Sequence, residues 1–102
     1  MEISPFTEKV IDIIQSIPEG KVMTYGQIAK EAGNPRGARQ VSWILHAMSR
    51  KYHLPWHRII NAKGEISLTG SEQEDLLALE GVEQNVRGRI DLNVYQWNPN
   101  IY

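Results

Sequence analysis

Cysteine does not occur in the 102 residues. Its absence excludes disulfides, thiolate-ligated metals and every mechanism that runs through a thiol nucleophile. No apolar run approaches the length of a membrane span, so none is expected. The opening residues MEISPFTEK lack the cationic start and apolar stretch of a secretory signal. There is also no internal repeat, low-complexity tract or linker. What remains is an ordinary globular composition, 41% hydrophobic and 23% charged. The expectation is one soluble intracellular domain over 1–102, long enough to fold around a single core.

The formal net charge is −1, but it is unevenly placed. Residues 1–19 hold Lys9 against four acids, a sum of −3. Residues 20–63 hold eight cations against Glu31 alone, a sum of +7. Residues 64–102 hold Arg87 and Arg89 against seven acids, a sum of −5. A basic centre between acidic flanks points to one face that meets an anion. A solvated helix face with chance clustering is the alternative.

Ser4-Pro5 predicts a helix start, and Phe6, Val10, Ile13, Ile14 and Ile17 recur at helical spacing before Pro18 and Gly20 stop it. Thr24 and Gln27 have capping-box spacing, predicting a short helix to Gly33. Asn34-Pro35-Arg36-Gly37 reads as a tight turn, and Val41, Ile44, Leu45 and Met48 stripe a second helix. Together these predict a helix-turn-helix over about 24–50. The segments HRII and EISL around Asn61–Gly64 suggest a β-hairpin. Ser71 and Glu74 suggest another capping box, opening a helix with Leu76, Leu77 and Leu79 that ends at Glu80-Gly81. The tail from about 90 to 102 alternates Ile90, Leu92 and Val94 with polar residues and is expected to be extended and docked by its aromatics. The fold class is thus mainly α with a small β-hairpin, a winged helix-turn-helix.

The chemistry-bearing residues narrow the function. His46, His53 and His57 do not pair at i, i+4 with a nearby acid, so neither a metal site nor a cofactor is expected. Ser42, Ser49, Ser67 and Ser71 lack the strained elbow of a serine nucleophile. Arg39 falls in the first turn of the second helix, where the helix dipole disfavours a cation. In a helix-turn-helix that end enters nucleic acid, whereas a solvated surface arginine is the commoner fate.

The ordered set TYG, GNPRGARQV, PWHRII and LEG resembles the DNA-binding domain of the O6-alkylguanine-DNA alkyltransferases over roughly residues 5 to 82. That family reads PCHRV where this chain has Pro55-Trp56-His57-Arg58-Ile59, and its Cys accepts the alkyl group. Trp56 in that place is the mark of the alkyltransferase-like proteins, which resemble the enzymes but do not transfer the group. The resemblance implies that Arg39 enters the duplex and fills the gap left by a flipped nucleotide, and that Tyr25 helps turn its 3′ phosphate. It also implies minor-groove docking of the second helix, which the small residues Gly37, Ala38 and Ser42 would suit. DNA contacts are expected from Thr24, Tyr25, Gln27, Asn34, Arg39, Gln40 and Ser42. A lesion pocket is expected from Tyr25, Trp56, His57 and Ile59, with the PWHR loop at 55–58. His57 and Glu80 match the pair that activates the thiol in the enzymes, and would here be scaffold.

The implied function is a non-enzymatic sensor of O6-alkylguanine in double-stranded DNA that directs the lesion to nucleotide excision repair proteins. A monomer with no membrane partner is expected, cytoplasmic and nucleoid-associated in a bacterium or nuclear in a eukaryote. A generic winged-helix regulator without lesion preference is the alternative. Alkyl transfer to His57 is disfavoured, since neutral imidazole is a far weaker nucleophile than a thiolate. Three departures from the family stand out. Met48-Ser49 occupies the place of a supporting Asn–Pro. Trp43 replaces what is often a small residue and is expected to alter helix packing. The loop after Ser67 is short and lacks Lys or Arg before Ser71.

Overall fold

The computed structural model describes residues 3–66 and 71–99. The chain divides into two compact units, one of residues 1–16 and 25–56, the other of 17–24 and 57–102. None of the helices among the described residues is long and apolar enough to cross a membrane.

The first unit is three mutually packed helices: α1 (Pro5–Ser16), α2 (Tyr25–Glu31) and α3 (Ala38–Tyr52). Helix α1 starts where Ser4-Pro5 predicts. The Ser4 hydroxyl accepts from Thr7 N–H at 3.1 Å, satisfying a donor the helix start leaves open, and its carbonyl accepts the first intrahelical bond from Glu8 N–H at 3.0 Å. Val10, Ile11 and Ile14 are its buried face. They meet Ile28 and Ala29 of α2 and Val41, Ile44 and Leu45 of α3, all buried. Each core Ile or Val side chain so enclosed contributes roughly 1.5–3 kcal/mol against exposure.

The turn between α2 and α3 is built by Gly33, Asn34 and Gly37. Gly33 takes φ +99°, which only glycine adopts without strain, and closes α2. Asn34 Oδ1 accepts from Arg36 N–H at 3.2 Å, and its carbonyl accepts from Gly37 N–H at 2.9 Å. Gly37 is buried, and a Cβ there would meet Phe6 Cζ at 2.9 Å and the Asn34 carbonyl at 3.1 Å. Its small size therefore serves packing inside the unit. The helix-turn-helix is as expected.

The second unit is centred on Val22, Ile60, Leu77, Val82 and Ile90, with Ile66, Leu92 and Tyr95 packed against them. Its elements are β1 (Met23–Thr24), β2 (Ile59–Ile60), α4 (Glu72–Leu79) and the single turn α5 (Leu92–Tyr95). The fold class stands, mainly helical with a small two-stranded sheet, but three local expectations are corrected.

First, the sheet is parallel and non-local, Met23 opposite Ile59 and Thr24 opposite Ile60. Asn61 explains why no hairpin forms through Glu65 and Ile66. Its side-chain oxygen accepts from the backbone N–H of Lys63 and Glu65, at 3.0 and 2.9 Å. Gly64 at φ +77° then swings the chain so that its carbonyl accepts from Ile90 N–H at 2.7 Å. The far end of the expected hairpin, Ser67 and Leu68, lies outside the described residues.

Second, Ser71 precedes α4 but makes no side-chain cap bond, because its backbone at φ −103°, ψ 0° is not the extended geometry a cap requires. Third, residues 92–95 are a helical turn, not extended. Asp91 caps them by accepting from Asn93 N–H at 2.9 Å, a stronger local signal than the alternation. Strand-like pairing occurs at Ile90, bridged to Gln84, and at Gln96, bridged to Val22: Val22 N–H donates to Tyr95 O at 2.9 Å, and Trp97 N–H to Val22 O at 2.8 Å. Residues 100–102 of the expected tail lie outside the described residues.

Candidate nucleic-acid interface

In the first unit the helix-turn-helix presents a cationic, carboxylate-poor surface. Helix α3 reads ARQVSWILHAMSRKY and contains no acid. Its N-terminal residue Gly37 supplies no side-chain cap, so the positive end of the helix is not neutralised by its own sequence. Arg39, Gln40 and Ser42 are exposed at that end, and Lys30, Arg36, Arg50 and Lys51 are exposed elsewhere on the unit. Asn34 Nδ2 donates to Gln40 Oε1 at 3.4 Å, tying the turn to the first turn of α3. Tyr25, the first residue of α2, and Gln27 are half-buried. A cleft of about 670 Å³ lies along α1 and the start of α3, bordered by Phe6, Lys9, Asn34, Arg39, Trp43 and Ile44.

Trp43 itself is 71% exposed. The expectation that it alters helix packing is thereby corrected: the indole points away from the core that Val41, Ile44 and Leu45 form.

The Pro-Trp-His-Arg segment is a turn of 3-10 helix over Trp56–Arg58. Trp56 N–H donates to Leu54 O at 2.8 Å, so the chain reverses tightly around Pro55. The Trp56 side chain is half-buried.

In the second unit His57, Arg58 and Glu80 form a compact ionic cluster. Glu80 Oε2 lies 2.6 Å from His57 Nε2 and 2.7 Å from Arg58 Nη2. Oε1 accepts from Arg58 Nε and from Gly20 N–H, both at 3.0 Å. Burial opposes ionisation of Glu80, but the Arg58 guanidinium, the Gly20 N–H and His57 together outweigh it. Its pKa is held down from 4.5 to about 2. An ionised carboxylate can only accept, so His57 donates to it from Nε2. Arg58 Nη1 also donates to Ile17 O at 2.9 Å, which locks the guanidinium in place.

Gln73 completes the support. It is 3% exposed, and its Nε2 donates to His57 O at 3.1 Å and Ile59 O at 3.0 Å. The backbone on either side of Arg58 is thus clamped from α4. Sequence reasoning missed Gln73, Gly20 and the role of Arg58. Gln73 was legible in principle: it stands at i, i+4, i+7 with Leu77 and Glu80, a polar residue on the inward stripe of α4.

Two expected contact residues are enclosed. Thr24 is 6% exposed within β1, and Ile59 is fully buried within β2. Both side chains are thus largely enclosed within the unit. The loop after Ser67 lies outside the described residues. Among the described residues no group of three His, Cys, Asp or Glu could hold a metal.

A helix-turn-helix with a cationic second helix, followed by a clamped Pro-Trp-His-Arg turn, defines a DNA-binding class of domain. The family described as 6-O-methylguanine DNA methyltransferase, DNA binding domain, matches residues 5–82, and the chain belongs to it. Among its relatives is the DNA base-flipping protein of Escherichia coli, 48% identical over 96 residues, 91% of this chain and 74% of that protein. Alkyltransferase-like protein 1 of Schizosaccharomyces pombe is 42% identical over 108 residues, 97% of this chain and all of that protein. The crystal structure of S. pombe Atl1 in complex with damaged DNA containing O6-carboxymethylguanine matches with a TM-score of 0.79 at 41% identity, covering 97% of this chain and 100% of that one. More distant relatives include the methylated-DNA–protein-cysteine methyltransferase of Methanosarcina acetivorans, 36% identical over 78% of this chain and 53% of that protein.

Proposed function

We propose that this chain is a non-enzymatic sensor of O6-alkylguanine in double-stranded DNA, which flips the damaged nucleotide and passes the lesion to nucleotide excision repair. One observation carries the reading. The turn that would present a nucleophile holds Trp56 instead, in a chain without cysteine, while its supporting His57–Glu80 contact is kept at 2.6 Å. The machinery that positions the turn persists and the reacting atom is gone. A site of that kind recognises and does not react.

The residue roles follow from physics. Guanine O6 lies within the base stack, so inspection requires extruding the nucleotide, at a cost of about a few kcal/mol that is smaller for a weakened pair. Arg39, planar, charged and exposed at the start of α3, replaces lost stacking and lost hydrogen bonds together. Tyr25 turns the phosphate, and Trp56 offers an aromatic wall to the extruded base. Gln27, Asn34, Gln40 and Ser42 hold the backbone. His57 and Glu80 act as scaffold. The names of the relatives, and a relative's structure with O6-carboxymethylguanine DNA, support the reading. A protein that binds a lesion without repairing it needs a second activity to remove it, which motivates the repair partner.

Arg39→Ala and Tyr25→Ala test these roles. Each is expected to weaken binding to an O6-methylguanine duplex by at least tenfold at fixed salt, which is ~1.4 kcal/mol. If both variants bind that duplex like the parent, flipping by these residues is refuted.

A further inference from the structure

Trp43 is a large apolar side chain left 71% exposed on an otherwise well-buried unit. A single exposed apolar residue is ordinary, but this one borders the cleft that Phe6, Lys9, Arg39 and Ile44 also line. Its surroundings on α3 say what covers it. Arg39 lies one turn before it, and His46 and Arg50 lie one and two turns after it, all exposed at the spacing that places them along one helix face. No carboxylate occurs anywhere on α3. An indole set between Arg39 and Arg50 on a helix with no acid is complementary to a polyanion, and the charge-depleted surroundings of a protein-interface core are missing.

We infer that Trp43 is a second DNA-inserting residue, an apolar wedge that enters the minor groove one helical turn beyond Arg39. This rests on the proposed function, in which Arg39 at the start of α3 enters the duplex, and on the minor-groove docking that the resemblance implies. Four residues advance a helix by about 6 Å. That is close to two base-pair steps of about 3.4 Å each. For a helix laid along the duplex, Trp43 meets it about two base pairs from the nucleotide that Arg39 displaces. Apolar side chains inserted at base steps in the minor groove unstack them and bend the duplex. An indole there opens the groove next to the lesion while Arg39 holds the gap. Because the wedge acts on the step and not on the damaged base, it strengthens binding to damaged and undamaged DNA alike.

The experiment compares the parent, Trp43→Ala, Trp43→Phe and Arg39→Ala on matched duplexes carrying O6-methylguanine or guanine, each over a series of salt concentrations. Trp43→Ala is expected to bind both duplexes about tenfold more weakly, the scale of one lost aromatic–base contact. Trp43→Phe recovers most of that loss. The slope of affinity against salt stays at the parent value, because no charge is removed. The thermal midpoint also stays, because the indole packs on little of the core. Trp43→Ala binding both duplexes within twofold of the parent would overturn the inference and assign the indole to a protein surface or a second copy of the chain. The underlying reading fails separately. If the parent and Arg39→Ala bind the two duplexes equally while Trp43→Ala still weakens both, flipping is refuted and the wedge stands.

Discussion

Replacing Glu80 by Gln keeps the shape of the side chain and removes its charge. Four donors converge on this carboxylate: His57 Nε2 at 2.6 Å, Arg58 Nη2 at 2.7 Å, and Arg58 Nε and Gly20 N–H at 3.0 Å. A neutral amide cannot serve them all, and its own NH2 would face the guanidinium. Breaking one side of a fully buried ion pair costs about 3–5 kcal/mol. The side chains here are 9%, 14% and 17% exposed, so water recovers part of that and a loss of about 2 kcal/mol is expected at pH 7. For a domain of this size that lowers the melting temperature by roughly 8–16 °C.

The pH dependence gives the prediction a second edge. Glu80 is held at about 2 instead of 4.5. Its contribution is therefore fully present above about pH 4.5 and drains away as pH falls toward 2. The Gln variant has no such proton to bind. The gap between the two melting curves should be wide at neutral pH and close steadily on acidification through that window. Equal melting temperatures at pH 7, or a gap that stays constant into acid, would refute the assignment of Glu80 as an ionised keystone.

The remaining predictions concern two glycines and the turn at Trp56. Gly64→Ala places a Cβ against the backbone carbonyl of Ile90 at a residue with φ +77°, so a loss of about 3 kcal/mol or more is expected from denaturant midpoints. Gly37→Ala meets the movable ring end of Phe6 and, at 3.1 Å, the less yielding Asn34 carbonyl, and about 1–2 kcal/mol is expected from the same measurement. Trp56→Cys is expected not to restore rapid alkyl transfer fully, since Met48 stands where the resemblance places a supporting Asn. The check is protein mass after incubation with alkylated DNA, and fast, complete alkylation would contradict it.

How far the sequence could be read depended on the range of the forces involved. Helices α1 and α3 are local: Ser4-Pro5 starts one, and the Val41, Ile44, Leu45 stripe marks the other. Ile11, buried beside Val10, widens the apolar face beyond the stripe read from spacing. The sheet was not legible in the same way. Met23–Thr24 and Ile59–Ile60 are both buried pairs of only two residues, and parallel pairing across that separation leaves no local turn signal. At residues 92–95 two local signals competed, alternation and an Asp cap, and the cap prevailed because it satisfies a backbone donor directly.

The candidate site divides similarly. Arg39 and Trp56 stood out because each is a residue type at odds with its position. His57 and Glu80 were paired by resemblance, and the structure brings them to 2.6 Å. Arg58, Gly20 and Gln73 escaped because their partners are backbone atoms or a carboxylate distant in the chain. Trp43 was noticed as a departure but given the wrong consequence, since exposure cannot be read from a residue name.

The most direct test of the account is the affinity of the parent chain for two duplexes that differ only in one O6-methylguanine, measured at about 0.1 M salt where surface attraction is already screened. Protein mass is recorded before and after. The account predicts tighter binding to the damaged duplex and an unchanged mass. Equal affinity for both duplexes, or a protein that gains the alkyl group, would contradict it.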